Sequence, residues 1–419
     1  MSVYLKPEHR RWMIAAVIFL ATVFNYFDRQ ILAVLKPLLK EEFNMDDSGY
    51  AWVVNIFTVC YAIMYPVSGW LVDKFGARFI MLLGVLGWAT ASIGAGFSRT
   101  FGQFAFFRGL LGVSEPSNFP VKLHVVTVWF PAKLRATANS LCEAGSSIGA
   151  ILAPPLAAWL ALTFNWHTVF VVGGVAGLVI AVLWLLVYRN PPKDIAQEAT
   201  GSAVIKESVS FSWTQLWTKK SLWGVLLIRF LSDPLWYFCL FWLPGYLQEE
   251  SGLSLVQMGL FGWIPFLVAD IGAIGASAWS DSMVKKGKEP LRARKTMMTC
   301  LACIAPLCVL TPYLPNAFAT LAIFSLVAIT CLTWLFNINV VVAEAFPVRN
   351  VASVLGIAGG CGAVGAVLLN YFVGQYIGTI GAGKIFMAMA VLHPIAAVLL
   401  WTMVKKEKPA AETEGALAP

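Results

Sequence analysis

Residues 69–78 read GWLVDKFGAR, a charged turn set between two apolar stretches at 49–72 and 79–98. A helix needs about 20 mostly apolar residues to cross the hydrocarbon core of a bilayer, and both stretches meet that length. Asp73, Lys74 and Arg78 would be costly inside that core, so they mark a turn at a membrane face. Moving outward, the same alternation of long apolar runs and short charged turns fills the chain. The predicted spans are 12–38, 49–72, 79–98, 101–130, 137–163, 166–188, 221–248, 256–283, 294–313, 317–344, 351–379 and 382–404. Composition agrees: 59% of the 419 residues are hydrophobic and 12% are charged, against about 25% charged in an ordinary soluble domain. Mean hydropathy is +0.74. So little charge cannot cover a soluble globule, which excludes a soluble enzyme, a disordered chain, a nucleic-acid binder and a disulfide scaffold. The fold class expected is an all-α polytopic membrane protein with twelve transmembrane helices in two pseudo-symmetric six-helix bundles.

The longest polar interval, 189–220, lacks periodicity and contains RNPPKD, EATGS and KES. It divides the chain into an N-terminal bundle (1–190), a cytoplasmic linker (191–220), a C-terminal bundle (221–405) and a cytoplasmic tail (406–419). Cytoplasmic loops collect Lys and Arg. With the N-terminus inside, 22 of the 30 basic residues fall on the cytoplasmic side, 4 (Lys36, Lys40, Arg99, Lys384) on the other, and 4 within spans. Both termini are therefore expected in the cytoplasm. The net charge of +8 then reports topology, and no nucleic-acid partner is expected. Two equal halves suggest an internal duplication. The segment SAWSDSMVKKGK (277–288) occupies the position of 69–78 in the second half and places Asp281 where the first has Asp73. The N-terminus MSVYLKPEHRRW is polar and leads into a long span, so no signal peptide is expected. The eight cysteines lie in apolar stretches and read as buried, reduced packing residues, the CxxC of Cys300 and Cys303 included. The four histidines are dispersed and neither HExxH nor GxSxG occurs, so no enzyme and no metal site are expected.

An ionisable group in the bilayer core costs at least about 2.5–3.5 kcal/mol, so the charges left inside spans are the candidates for function. They are Asp28 and Arg29 in span one, Arg108, Glu115 and Lys122 in span four, Glu143 in span five, Arg229 and Asp233 in span seven, and Asp270 in span eight. Arg108 and Glu115 are two helical turns apart on one face, about 10 Å along the axis, and Lys122 continues that face. Arg229 and Asp233 also share a face, in a span that Pro234 and Pro244 are expected to interrupt. Asp28 and Arg29 are adjacent, so one can face a cavity while the other pairs with a neighbouring helix. A guanidinium binds a carboxylate with two parallel hydrogen bonds. Arginines in both halves therefore favour an anionic substrate. Glu115, deep in an apolar stretch, and Asp28 are the candidate proton-carrying carboxyls. Each of these groups has a plainer reading as part of a buried ion pair that fixes packing.

Gly69, Asp73, Lys74, Gly76 and Arg78 fit the signature GxxxD(R/K)xGx(R/K)(R/K) of the major facilitator superfamily, departing only at Phe79. In that family the turn latches one conformation, which implies gating roles for Gly69, Asp73, Lys74, Arg78 and, by the repeat, Asp281. NYFDRQIL (25–32) resembles the N-Y-x-D-R pattern of the anion:cation symporter family, which includes bacterial hexuronate and aldonate transporters and vesicular organic-anion transporters. FRGLLGVSEPSNFP (107–120), GSSIGAILAPP (145–155), RFLSDPLWYFCLFWLPGYL (229–247) and AEAFP (343–347) agree with it, so the resemblance covers nearly the whole chain. It implies substrate contacts from Arg29, Tyr61, Arg108, Arg229, Trp236, Tyr237 and Asn337. It implies proton coupling through Asp28 and Glu115, and Glu143, standing where relatives usually carry Asn, adds a further proton site or a group that alters hydroxyl recognition.

The function implied is a proton-coupled symporter that imports an organic anion, a hexuronate or related sugar acid, by alternating access. The proton is the coupling ion and no other cofactor is implied. The setting is the bacterial inner membrane, with a small anionic substrate and the lipid bilayer as partners and a monomer as the working unit. Alternatives are a proton-coupled transporter of a non-sugar carboxylate and a proton/drug antiporter of the same fold. The antiporter calls for Gly-Pro followed by paired Gly in span five, where this sequence has Pro154 and Pro155 followed by LAAWL.

Overall fold

The computed structural model describes residues 7–191 and 211–407. Most of the expected linker (191–220) and of the tail (406–419) lies outside the described residues. The described chain is helical and contains no strand. In the first half the helices are α1 (Pro7–Val34), α2 (Lys36–Glu42), α3 (Asp47–Phe75), α4 (Ala77–Gly96), α5 (Phe101–Ser114), α6 (Asn118–Trp129), α7 (Ala132–Thr163) and α8 (Trp166–Val187). The second half continues with α9 (Trp213–Thr218), α10 (Lys220–Phe241), α11 (Leu243–Glu249), α12 (Leu255–Phe261), α13 (Ile264–Lys285), α14 (Pro290–Ala302), α15 (Ala317–Ala345), α16 (Val348–Ile380), α17 (Ala382–Ala390) and α18 (Leu392–Thr402).

Polar caps start several of these helices where apolar runs begin. Asp46 Oδ1 accepts from the Gly49 amide at 2.8 Å, Asn165 Oδ1 from that of Thr168 at 2.9 Å and Asn316 Oδ1 from that of Ala319 at 2.9 Å. Such bonds satisfy amides that a helix cannot pair within itself. Gly76 joins α3 to α4 at φ +84° and ψ 151°, a conformation essentially restricted to glycine. That explains why the charged turn carries Gly at this position.

Eleven stretches of the described chain are long and apolar enough to cross a membrane. The expected span at 101–130 is present in a different form. It runs as α5, a 3-10 turn over Glu115–Ser117 and α6, with 14 and 12 residues in its two α-helical parts. Pro116 and Pro120 each lack the N–H that a regular helix would donate to the preceding turn. Pro234, by contrast, does not break its helix: α10 runs through it to Phe241, and the interruption falls at Trp242, ahead of Pro244 in α11.

The described residues form two compact units, 7–191 with 253–263 and 211–252 with 264–407. In the first, α1 packs on α7, α3 on α5 and α4 on α8. In the second, α10 packs on α16, α13 on α15 and α14 on α18. Spans in equivalent positions of the two halves thus pair in the same way, the packing counterpart of the weak sequence repeat. The short helix α12 belongs to the first unit and packs on α7, where a Cβ on Gly259 would lie 2.8 Å from Ala158 Cβ.

Small residues let backbones approach where no hydrophobic force draws helices together in lipid. A Cβ on Gly149 of α7 would lie 2.2 Å from the Val23 carbonyl oxygen of α1, and one on Gly365 of α16 would lie 2.3 Å from that of Phe230 on α10. Pro234 has no N–H to donate to that Phe230 carbonyl, four residues earlier, and Gly365 fits over the notch. Gly356, Gly359 and Gly360 of the same small-residue run have no atom within 4 Å of a Cβ position, so close packing is confined to its later part. Two expectations are corrected. No atom lies within 4 Å of a Gly69 Cβ position, so Gly69 permits no close helix approach in this structure. Cys300 and Cys303 are free and exposed rather than buried, because one side of an apolar spanning helix is left for lipid.

Candidate functional site

The intramembrane charges of the first unit gather around α1. Arg29 Nε donates to Glu115 Oε2 at 2.9 Å, and the two side chains are 7% and 0% exposed. The 3-10 turn after α5 presents Glu115 to Arg29. The Arg29 guanidinium carbon lies 4.9 Å from the Tyr26 ring centre, 5.5 Å from that of Phe57 and 4.6 Å from that of Tyr61. Ring faces attract a cation most strongly where water is excluded. Arg108 uses Phe57 as well, at 5.2 Å, and its Nη1 donates to the Asp28 carbonyl oxygen at 3.3 Å. Asp28 points away from Arg29, as adjacent helical positions must: its Oδ1 lies 2.7 Å from where a Gly173 Cβ of α8 would be. Asn118 Nδ2 donates to Thr22 Oγ1 at 3.0 Å and ties α6 to α1 below the pair.

Two carboxylates and two guanidiniums sum to zero formal charge, yet the hydrogen bonding is incomplete. Arg29 Nη2, Glu115 Oε1, both Asp28 carboxylate oxygens, and Arg108 Nε and Nη2 are buried and make no hydrogen bond in this structure. A buried polar atom left unmatched costs about 1–3 kcal/mol. These atoms are therefore where a proton, a water or a ligand atom is accepted most readily. The sequence left open which carboxyl neutralises Arg29; the structure pairs it with Glu115 and not with its neighbour Asp28.

Farther along span four, Lys122 Nζ contacts the Glu143 carboxylate of α7 and lies 4.7 Å from the Phe119 ring centre. Rings join this second ion pair to the first. Tyr61 and Tyr65 are 5.9 Å apart and Tyr65 and Phe119 6.2 Å apart, centre to centre. Of these aromatics the sequence reading named Tyr61 alone. Phe57, Tyr61 and Tyr65 recur every fourth residue on one face of α3, a signal that would have found them.

In the second unit Arg229 Nη1 donates to Asp233 Oδ2 at 2.9 Å, and Nη2 bonds the Asn339 side-chain oxygen. The shared face expected from their spacing is thus an ion pair. A Gly362 Cβ would lie 2.2 Å from Asp233 Oδ2, so α16 needs glycine there. Trp236 is 7% exposed and meets Phe266 edge-on at 6.2 Å, a packing contact. Tyr237 is half-buried and stacks near Phe241. Asn337 Nδ2 donates to Ser277 Oγ at 3.2 Å and to the Thr333 carbonyl at 3.0 Å, joining α15 to α13.

The charged turns are tied to helix ends. Arg78 Nη2 donates to the Leu185 carbonyl of α8 at 3.4 Å, and Trp184 Nε1 donates to the Arg78 carbonyl at 3.0 Å. A cation there also complements the negative end of the helix dipole. Asp73 is exposed, and Lys74 lies 4.7 Å from the Trp70 ring centre. Asp281 accepts from Arg294 Nη2 at 2.5 Å, and Arg294 Nε reaches Glu344 at 3.5 Å. Among the described residues no group of three or more His, Cys, Asp or Glu is placed to hold a metal ion.

Comparison with known proteins connects these clusters to a family. The profile of the Major Facilitator Superfamily matches residues 18–335. The chain is similar to the hexuronate transporter of Escherichia coli (strain K12), at 26% identity over 97% of this chain and 96% of that one. It is also similar to the galacturonate transporter of Dickeya chrysanthemi, at 31% identity over 64% of this chain and 81% of that one. Among solved structures, a bacterial homolog of the human lysosomal transporter Spinster, inward-facing and occupied, superposes with a TM-score of 0.79 at 18% identity, covering 97% of this chain and 100% of that chain.

Proposed function

The chain belongs to the Major Facilitator Superfamily, and we propose that it is a proton-coupled symporter that imports an organic anion, a hexuronate or a related sugar acid, by alternating access. The observation that carries this reading is the buried Arg29–Glu115 pair within its frame of rings. Arg29 has one nitrogen engaged by Glu115 and Nη2 unbonded. A substrate carboxylate would take the guanidinium in the two-point manner that group favours, in competition with Glu115. A proton on Glu115 removes its claim on Arg29, so proton and anion enter together. Asp28, with two unbonded carboxylate oxygens beside Gly173, is the second proton-carrying group. Rings beside Arg29 offer apolar faces to the C–H side of a sugar. Arg229 is held by Asp233 and Asn339, and a substrate role for it requires release from both. The relatives named for sugar acids support the substrate class.

The bias of 22 basic residues against 4 supports cytoplasmic termini in a bacterial inner membrane, and we take the monomer as the working unit. The test is a thermal-shift screen of sugar acids on the purified protein, followed by uptake into liposomes with and without an imposed pH gradient. Stabilisation by glucuronate or galacturonate, and accumulation driven by the gradient, are expected. Stabilisation by neutral sugars and by no acid would overturn the reading.

A further inference from the structure

We propose that Glu143, held by Lys122, reads the end of the substrate remote from its carboxylate, accepting hydroxyl groups there and rejecting a second carboxylate. The inference rests on the sugar-acid reading above and adds a substrate class to it: polyhydroxy monoacids over diacids. Lys122 and Glu143 touch, and their side chains are 7% and 36% exposed. The ammonium is thus buried as a counter-ion while the carboxylate remains accessible. A carboxylate only accepts hydrogen bonds, so what this pair offers to a ligand is an acceptor.

The pair is part of the same wall as Arg29. Contact runs from the Arg29 guanidinium to Tyr61, from Tyr61 to Tyr65, from Tyr65 to Phe119 and from Phe119 to Lys122. Lys122 follows Glu115 by seven residues, through the 3-10 turn and into α6, on the order of 10–12 Å of axial rise. The two ion pairs therefore stand too far apart to share one carboxylate, and far enough apart to address opposite ends of one sugar acid lying along the rings.

At the Arg29 end the ligand must be anionic. At the Glu143 end a hydroxyl finds an acceptor, whereas a carboxylate meets a like charge, and such juxtapositions discriminate strongly between ligands. A second carboxylate could reach Lys122 only by displacing Glu143 from a buried ammonium. Breaking a buried pair is costly.

The experiment compares glucuronate with glucarate, six-carbon acids carrying one and two carboxylates, as ligands of the purified full-length protein. Wild-type protein is expected to bind glucuronate at least about tenfold more tightly than glucarate. In Glu143→Gln that ratio should fall towards one. Because this variant leaves Lys122 buried without its counter-ion, the double variant Lys122→Gln, Glu143→Gln is measured beside it and should lose the preference equally. A wild-type protein that binds both acids equally, or folded variants that keep the wild-type ratio, would overturn the proposal while leaving the sugar-acid reading intact. Binding of neither acid by wild type would overturn both.

Discussion

Replacing Glu115 with Gln isolates the proposed link between proton and anion. The amide keeps the shape of the carboxyl, and its oxygen can still accept from Arg29 Nε, 2.9 Å away in the native chain. What disappears is the negative charge that competes with a substrate carboxylate. A hydrogen bond to a charged group contributes about 1.5–3 kcal/mol, and its neutral counterpart about half of that. The competition therefore falls by about 0.75–1.5 kcal/mol, which is roughly three- to twelvefold in affinity. Arg29 stays supported by the rings of Tyr26, Phe57 and Tyr61, so the variant should fold. Calorimetric titration with glucuronate at two pH values should show tighter binding than wild type and a weaker dependence on pH. In liposomes, exchange of labelled for unlabelled substrate should persist, while accumulation driven by a pH gradient should be lost. Uphill accumulation at the wild-type level, or a folded variant whose affinity falls tenfold, would refute the coupling.

Asp28→Asn should likewise bind and exchange substrate while losing a share of the proton coupling, read as a lower ratio of proton to substrate flux in liposomes; an unchanged ratio would remove Asp28 from the pathway. Gly173→Ala places a Cβ 2.7 Å from Asp28 Oδ1 and should depress accumulation in a protein that still folds; wild-type transport would show that the carboxyl has room to move. Gly365→Ala sets a Cβ 2.3 Å from the Phe230 carbonyl oxygen and should destabilise by about 1–3 kcal/mol through overpacking, seen as a lower Tm in detergent. Gly76→Ala, at φ +84°, should cost about 1–3 kcal/mol in backbone strain on the same assay, and an unchanged Tm would mean that the turn relaxes.

Much of the fold was legible because lipid imposes a length. The apolar runs had to be about 20 residues long, and eleven of them appear as spans; ten lie within four residues of the expected bounds, and the one expected at 221–248 ends at Phe241 because the helix breaks at Trp242. The one that differs, 101–130, contains Pro116 and Pro120, and its hydropathy could not reveal that Glu115 opens a 3-10 turn. The buried charges of the candidate site were visible in the sequence, and their pairing was not. Arg29 and Glu115 are 86 residues apart in sequence, and no spacing rule links groups on different helices. Spacing did expose Arg229 and Asp233, because both lie on one helix. Lys122 and Glu143 were named separately for the same reason that Arg29 and Glu115 were: each charge is visible in its span, but only tertiary packing chooses its partner.

The two units use one packing scheme to hold unlike charge arrangements. In the first, Arg29 has one carboxylate acceptor and an unbonded Nη2, with the Tyr61 hydroxyl and three aromatic rings beside it. In the second, Arg229 is shared between Asp233 and Asn339 and keeps only Nε unbonded. Removing one partner from a buried ion pair costs about 3–5 kcal/mol unless something replaces it. An incoming carboxylate replaces one acceptor at Arg29 but would have to replace two at Arg229. The rings also matter, since they keep attracting the guanidinium whichever carboxylate it holds. Exchange of acceptors is therefore less costly in the first unit, which is the physical reason to place the proposed recognition of an anion on Arg29. On the same grounds Arg229 is better suited to hold α10 and α15 together than to give up its partners at each cycle.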